Sequence, residues 1–404
     1  MTDLEERLRT TPLTRRVFLQ GSTMAGFAAF LAACGPGTSP APTPGSTTIS
    51  GPLHFANWDA YIDLTEDPEN EGEYILPSPT LDAFSAEYGV EVDYANAEIE
   101  DNETFMATIR QQLQSGVATG WDLIVLTDWM AARVVKSGWA ERIDPAHVPT
   151  AHENVRDEYK DLEWDPDFEY HFPWQSGAVG VGYNVASTGR DLTKVADLFD
   201  PAFKGKVTLL SETRDTFGLI QLMLQDQGTA ASDHTPDQLD VADCQVIHDY
   251  LKPFVESGHI TAFTGNEYLA AFAAGDTWAS MVWSGDLASS GGDDDRFVYP
   301  EEGSMYFTDN MLIPKGAANK YTAELMIDWV YDVDRAAQLA NFIYYLSPVK
   351  GVAEAIMELD PEAAENPLLF PPDEVLAKQH PEAAWDDEEV EAEIKALYAD
   401  LAGT

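Results

Sequence analysis

Short apolar runs along the chain are separated by longer stretches with helical spacing. Leu53–Trp58 (LHFANW), Val90–Tyr94 and the continuous apolar run Trp121–Leu126 predict strands. Leu81–Tyr88 and Glu103–Leu113 lie between them with the spacing of amphipathic helices. Asp128 is expected to cap a helix that runs through Val135 and stops at Gly138. This alternation predicts an α/β fold, with largely parallel strands and covering helices. The pattern then recurs. Strands are expected at Ala178–Tyr183, Lys206–Leu210, Thr277–Trp283 and Met311–Pro314. Helices are expected at Asp215–Gln225, Gln238–Glu256, Ala323–Tyr331, Arg335–Phe342 and Glu388–Ala402. A chain of 404 residues with two such series predicts two domains.

The amino terminus has a different grammar. Paired Arg15 and Arg16 precede an apolar, small-residue run from Gly21 to Ala33, which ends in LAAC at Cys34. That run falls short of the ~20 residues of a permanent membrane span. The order of features resembles a twin-arginine export signal joined to a lipoprotein cleavage box. The resemblance implies that residues 1–34 are the signal and that Cys34 becomes the lipidated first residue of the mature chain. Residues 35–51, rich in Pro, Gly, Ser and Thr, read as a flexible tether. The other cysteine, Cys244, sits in an apolar helical pattern and reads as a small buried hydrophobe rather than a disulfide partner.

Charge narrows the function. With 23 Lys and Arg against 70 Asp and Glu, the net charge is −47. Such a surface repels phosphate backbones and anionic headgroups, which argues against nucleic acid and against polybasic adhesion to lipid. It suits either a strongly solvated exterior or a field that draws in cations.

Enzyme signatures are missing from the sequence: no GxSxG, HExxH, P-loop or GxGxxG pattern occurs. His147 and His152 are not spaced to share a metal on one helix face. No catalytic residue, metal or cofactor is therefore assigned. What stands out is a set of aromatics at expected strand ends and turns: Trp58, Tyr61, Trp129, Trp174, Trp283, Phe307 and Tyr345. Ligands in sheet-based folds bind near the carboxyl ends of strands. Glu212, Asp215, Asp286 and Asp309 are each expected in a turn beside such a strand end. Rings with carboxylates suit organic cations, through cation–π contact and charge-assisted hydrogen bonds. An anion site would use basic groups, and only Arg214, flanked by Glu212 and Asp215, offers one.

Several segments then fall into a familiar order. LHFANWDAYID, WDLIVLTDWMAARVVKSGWAERID, FPWQSGAVGVGYN, LLSETRDTFGL, MVWSGD, EEGSMYFTDNMLIPKGA and NFIYYLSPVKG together resemble the spermidine/putrescine-binding proteins, the extracytoplasmic receptors of polyamine ABC transporters. The match covers most of residues 52–360, with Asp63 to Pro79 resembling an insertion. The resemblance implies a two-lobed periplasmic-binding-protein fold of type II character, with a ligand cleft between lobes that closes like a flytrap. Lobe 1 is expected over 52–179 and 308–353, lobe 2 over 180–307 and 354–404, with crossovers near Gly180 and Thr308.

The family pocket carries across motif by motif. Trp58 matches the aromatic along the ligand chain, Tyr61 a second wall, and Asp59 stands where Ser or Thr is common. Thr127 matches a small hydroxyl and Trp129 replaces a Tyr. Glu212 and Asp215 match two acids for an amine end, with their order of lengths reversed. Trp283 matches a stacking ring, Asp286 an acid of the putrescine-type branch, and Asp309 the principal acid. Phe307 replaces a Trp, Tyr345 matches a late aromatic, and Asp386 is the candidate for the C-terminal position.

The implied function is polyamine capture for an ABC permease and, through it, a cytoplasmic ATPase. The implied molecule is a monomer, held by its lipid anchor at the outer face of the cytoplasmic membrane or in the periplasm. Alternatives are a receptor of the same fold for a quaternary amine, a basic peptide or ferric iron, the last through Tyr344 and Tyr345, or a surface-anchored hydrolase using an acid pair.

Overall fold

In the computed structural model, residues 47–66, 74–75, 78–361, 363 and 366–403 are described. The export signal with Cys34, most of the tether and much of the acidic stretch 63–79 lie outside them. The apolar runs become strands: β1 (Leu53–Trp58), β2 (Thr65–Glu66), β3 (Tyr74–Ile75), β4 (Val92–Ile99), β5 (Leu123–Thr127), β6 (His171–Asn184), β7 (Val207–Leu210), β8 (Ile260–Thr264), β9 (Ala279–Trp283), β10 (Asp295–Val298), β11 (Ser304–Leu312) and β12 (Gln379–Pro381).

Two compact units divide the described residues. The first draws on the described residues up to Gln175, on Asp309–Ile343 and on those from Ser347 to 363, the second on Ser176–Thr308, Tyr344–Leu346 and the described residues from Asn366 on. The chain thus leaves the first unit at Gln175, inside β6, rather than at Gly180, and leaves the second at Thr308, inside β11. Tyr345 was expected in the first lobe but belongs to the second unit. The cause is its packing: a Cβ on Gly177 or Gly285 would lie 2.8 Å or 2.3 Å from the Tyr345 ring. Those two glycines of QSGA and WSGD make room for it.

In the first unit, β1 pairs in parallel with β4 and with β5, and β11 runs antiparallel to β5. In the second, β7 is parallel to β8 and β9, while β6 is antiparallel to β9 and β10. Pairing is thus parallel among β1, β4 and β5 and among β7, β8 and β9. The antiparallel pairs arise at β6 and β11, the strands along which the chain passes from one unit to the other. Buried faces of both units are filled by the strand residues, for example Leu53, Phe55, Leu123 and Val125 in the first and Val207, Leu209, Met281 and Val282 in the second, all at 0 % exposure.

Helix boundaries follow local capping chemistry. Ser78 accepts from Leu81 N at 3.0 Å ahead of the helix Pro79–Tyr88, and Gly89 ends it with φ 66°. Asp101 does the same for Asn102–Ser115. The helix after β5 is a correction: its N-cap is Thr127, and Asp128 is its first residue, Asp128–Lys136. The last helix spans Glu388–Ala402, as its amphipathic pattern predicts, behind the N-cap Asp387.

Among the described residues, no helix is long and apolar enough to cross a membrane. Cys244 is fully buried, and burial pushes its thiol well up, away from reactivity.

Candidate functional site

The first unit builds a carboxylate cradle from three strands. β1 ends at Trp58 and β5 at Thr127, and the register of β11 sets Asp309 opposite Thr127. Asp309 is 3 % exposed, at the middle of a strand rather than in the expected turn. Thr127 Oγ1 donates to its Oδ1 and Tyr61 OH to its Oδ2, both at 2.9 Å. Thr127 is itself fixed by Asn102, whose Nδ2 donates to Thr127 Oγ1 at 2.9 Å and whose Oδ1 accepts from Thr127 N at 3.1 Å. The Trp58 indole donates to Val125 O at 3.1 Å, locking the ring at the strand end. Asp59 accepts from Asn96 Nδ2 at 2.7 Å and from Ala60 N at 2.9 Å. Ala60 has φ 53°, the left-handed turn that swings the chain from Trp58 to Tyr61. Trp129 is buried, with the Arg133 guanidinium 5.3 Å above its ring.

Beside this cradle, Asn310 donates to Asp128 Oδ1 at 2.7 Å. Burial raises the Asp128 carboxyl to about 7, with the Asn310 bond acting in the other direction.

The second unit holds the remaining predicted residues. Glu212 is the N-cap of the helix Thr213–Asp226, just past β7, and Asp215 lies in its first turn. Asp215 is 1 % exposed and accepts from the Trp283 indole at 3.0 Å. Burial pushes its carboxyl up, while the Trp283 bond and the Arg214 charge oppose that rise. Asp286 lies in the first turn of the helix Ser284–Ser290 behind β9. It accepts from Tyr345 OH at 2.6 Å, from Asn266 Nδ2 at 2.7 Å and from the Tyr268 hydroxyl. Burial raises its carboxyl against the pull of these three donors. The Phe307 and Tyr345 rings pack edge to face, their centroids 6.2 Å apart.

Arg214 is not an anion site. Its Nε donates to Ala383 O and its Nη2 to Glu391 Oε1, each at 2.8 Å, and its guanidinium lies 4.5 Å from the Trp385 ring centroid. It fastens the segment before the last helix. That segment brings Glu382, not the exposed Asp386, to Asp215. Trp174, one of the strand-end aromatics, is core: it is 2 % exposed and meets Phe55 edge to face at 5.8 Å.

Each unit thus offers buried carboxylates whose orientation is set by hydroxyl or indole donors, with aromatic rings at hand. Sequence reasoning missed Asn102, Asn266, Tyr268 and Glu382, because none lies in a segment whose pattern points to a ligand. Among the described residues, His234, Asp240 and Asp243 could group their ligand atoms within 4.8 Å. They are occupied in capping: Asp240 and Asp243 form the capping box of the helix Val241–Glu256, and His234 Nδ1 bonds to Asp243 at 2.7 Å.

Two α/β units, each carrying buried acids beside aromatic rings, have the character of a solute-binding protein. The chain belongs to the family described as bacterial extracellular solute-binding protein, whose model matches residues 80–371. It is similar to the spermidine/putrescine-binding periplasmic protein of Salmonella typhimurium, 26% identical over 329 residues, which are 81% of this chain and 85% of that protein. The putrescine/cadaverine-binding protein of Pseudomonas aeruginosa is 26% identical over 349 residues, covering 83% of this chain and 89% of the relative. The fold of this chain is similar to that of the spermidine/putrescine ABC transporter substrate-binding protein of Streptococcus pneumoniae, at TM-score 0.66 and 21% identity over 86% of this chain and 98% of that one.

Proposed function

We propose that the protein is a polyamine receptor that captures a putrescine- or spermidine-type ligand and delivers it to an ABC permease. The observation that carries this reading is the retention of oriented, buried carboxylates in both units: Asp309 in one, Asp215 and Asp286 in the other. A polyamine presents an ammonium at each end and methylenes between. The acids supply charge-assisted bonds to the ends, and Trp58, Trp283, Phe307 and Tyr345 supply ring surface for the chain. The names of the relatives support the same ligand class.

Capture by closure follows from thermodynamics. A ligand that engages acids of both units favours the state in which both are engaged, by its difference in affinity for the two states. The closed form is then the one the permease recognises. In this reading, Cys34 carries a lipid that holds the monomeric receptor at the outer face of the cytoplasmic membrane, and the permease couples it to a cytoplasmic ATPase.

Isothermal titration of the purified protein with putrescine, spermidine and spermine, at low and high salt, tests the reading. Saturable binding near 1:1 that survives high salt is expected. Heats that are weak, multi-site and abolished by salt would mean that polyamines meet only the acidic exterior, and would overturn it.

A further inference from the structure

We propose that Glu382 is a further ligand-binding acid, and that with Asp215 it forms a two-carboxyl subsite that exchanges one shared proton for a ligand ammonium. The inference rests on the polyamine reading and adds to it a residue and a proton.

The geometry is that of two acceptors facing each other. Asp215 spends Oδ2 on the Trp283 indole, while its Oδ1 is buried with no hydrogen-bond donor among the described residues. Glu382 is partly exposed as a residue, but its Oε2 is buried and likewise has no donor. The two side chains lie within hydrogen-bonding reach of one another. Ionised carboxylates only accept, so a bond between them exists only while one holds a proton. Like charges at this range cannot both ionise freely.

Position is not left to chance. Arg214 holds the carbonyl of Ala383, the next residue, and the Trp385 indole donates to Leu239 O at 2.9 Å. Glu382 is thereby pinned over the first turn of the helix that carries Asp215. Arg214 lies close enough to lower both carboxyls, but its Nε and Nη2 are directed to Ala383 and Glu391. The other groups facing the pair are Glu212, whose charge raises Glu382, Trp283 from β9, and Tyr268, whose hydroxyl is raised in part by Asp215. Burial is the largest cause of the upward shift in both acids. The unliganded pair therefore keeps one proton at acidities where an exposed pair has lost both.

An ammonium brings three donors and a charge. Placed against Asp215 Oδ1 and Glu382 Oε2, it satisfies the two orphaned oxygens and removes the reason to hold the proton. The exchange balances: the singly protonated pair plus the ammonium gives the doubly ionised pair bound to the ammonium, plus one proton released to solvent. Because the free pair is the more protonated state, binding tightens as pH rises and levels off once the free pair is fully ionised.

The test is calorimetry with spermidine in buffers of differing ionisation enthalpy, from about pH 5 to about pH 8, on the wild-type protein and on Glu382→Gln and Glu382→Ala. The wild type is expected to release a substantial fraction of one proton at the acid end, with affinity rising several-fold per pH unit. Both variants are expected to bind at least about tenfold more weakly near neutrality, and to release markedly less proton. Saturable wild-type binding without proton release, or variants that match the wild type in affinity and proton count, would overturn this inference and leave the polyamine reading standing. Failure of every polyamine to bind saturably would overturn that reading, and this one with it.

Discussion

The Tyr61 hydroxyl donates to Asp309 Oδ2 at 2.9 Å, joining a turn near the start of the body to a strand far along the chain. Thr127 takes the other oxygen of the same carboxylate at 2.9 Å, and Asn102 steadies Thr127. In the proposed receptor, this carboxylate is thus oriented before ligand arrives. Less side-chain freedom remains to be lost on binding, which favours affinity.

Asp309→Asn keeps the shape of this cradle and removes the charge. Polyamine affinity is expected to fall at least about tenfold, the loss for a buried ammonium deprived of its partner. Tyr61→Phe removes one donor and keeps the ring, so a smaller loss of about two- to tenfold is expected. Titration calorimetry on both variants checks this order. Equal affinities for Asp309→Asn and wild type would remove Asp309 from the site.

Gly285→Ala tests the packing of the second half-site. The added Cβ would sit 2.3 Å from the Tyr345 ring, so the ring must shift and its bond to Asp286 weaken. A loss of about 1–3 kcal/mol in stability is expected from overpacking, together with weaker binding. Urea unfolding and calorimetry measure the two effects separately. An unaltered unfolding midpoint would mean that Tyr345 yields without cost.

Trp283→Phe retains a ring and deletes the indole donor to Asp215. With a further acceptor oxygen of Asp215 buried and unsatisfied, stability is expected to fall by about 1–3 kcal/mol. The carboxyl pair should also hold its proton to higher pH. The pH dependence of spermidine affinity should therefore move toward alkaline values, and a profile that stays in place would contradict the role given to this bond.

Asp128 predicts a pH effect on stability in the first unit. Its folded carboxyl is raised to about 7 from 3.8, so between those values the folded state binds more protons than the unfolded one. The contribution of this group is fully present below the unfolded value and is lost as pH climbs toward about 7. The slope is at most about 1.4 kcal/mol per pH unit, and partial exposure of Asp128 reduces it. Asp128→Asn keeps an acceptor for Asn310 and removes the titration. Its stability relative to wild type is expected to improve steadily from about pH 4 to about pH 7, measured by urea unfolding. A constant difference across that range would rule the effect out.

Where most of the candidate residues fall in the fold was legible because they sit in local patterns. Trp58, Thr127 and Trp283 end strands that are apolar runs, and Glu212 and Asp286 follow such runs directly. The setting of Asp309 was not legible, since its polar neighbours Thr308 and Asn310 imitate a turn while strand pairing with β5 holds them extended. Tyr345 was legible as an aromatic and misassigned to a unit. Two glycines distant in the chain, Gly177 and Gly285, decide where its ring can lie.

By itself the sequence determined the strand and helix series, the acidic character and the family, because these depend on periodicity and charge, which act over a few residues or add up over the whole chain. Only the tertiary structure decided that Thr127 and Tyr61 share one carboxylate, that three donors converge on Asp286, that Arg214 fastens a late segment instead of binding an anion, and that Glu382 rather than Asp386 reaches Asp215. Those relations join residues far apart in the chain, and each is set by packing that brings burial and a partner to the same point, where desolvation makes the pairing matter.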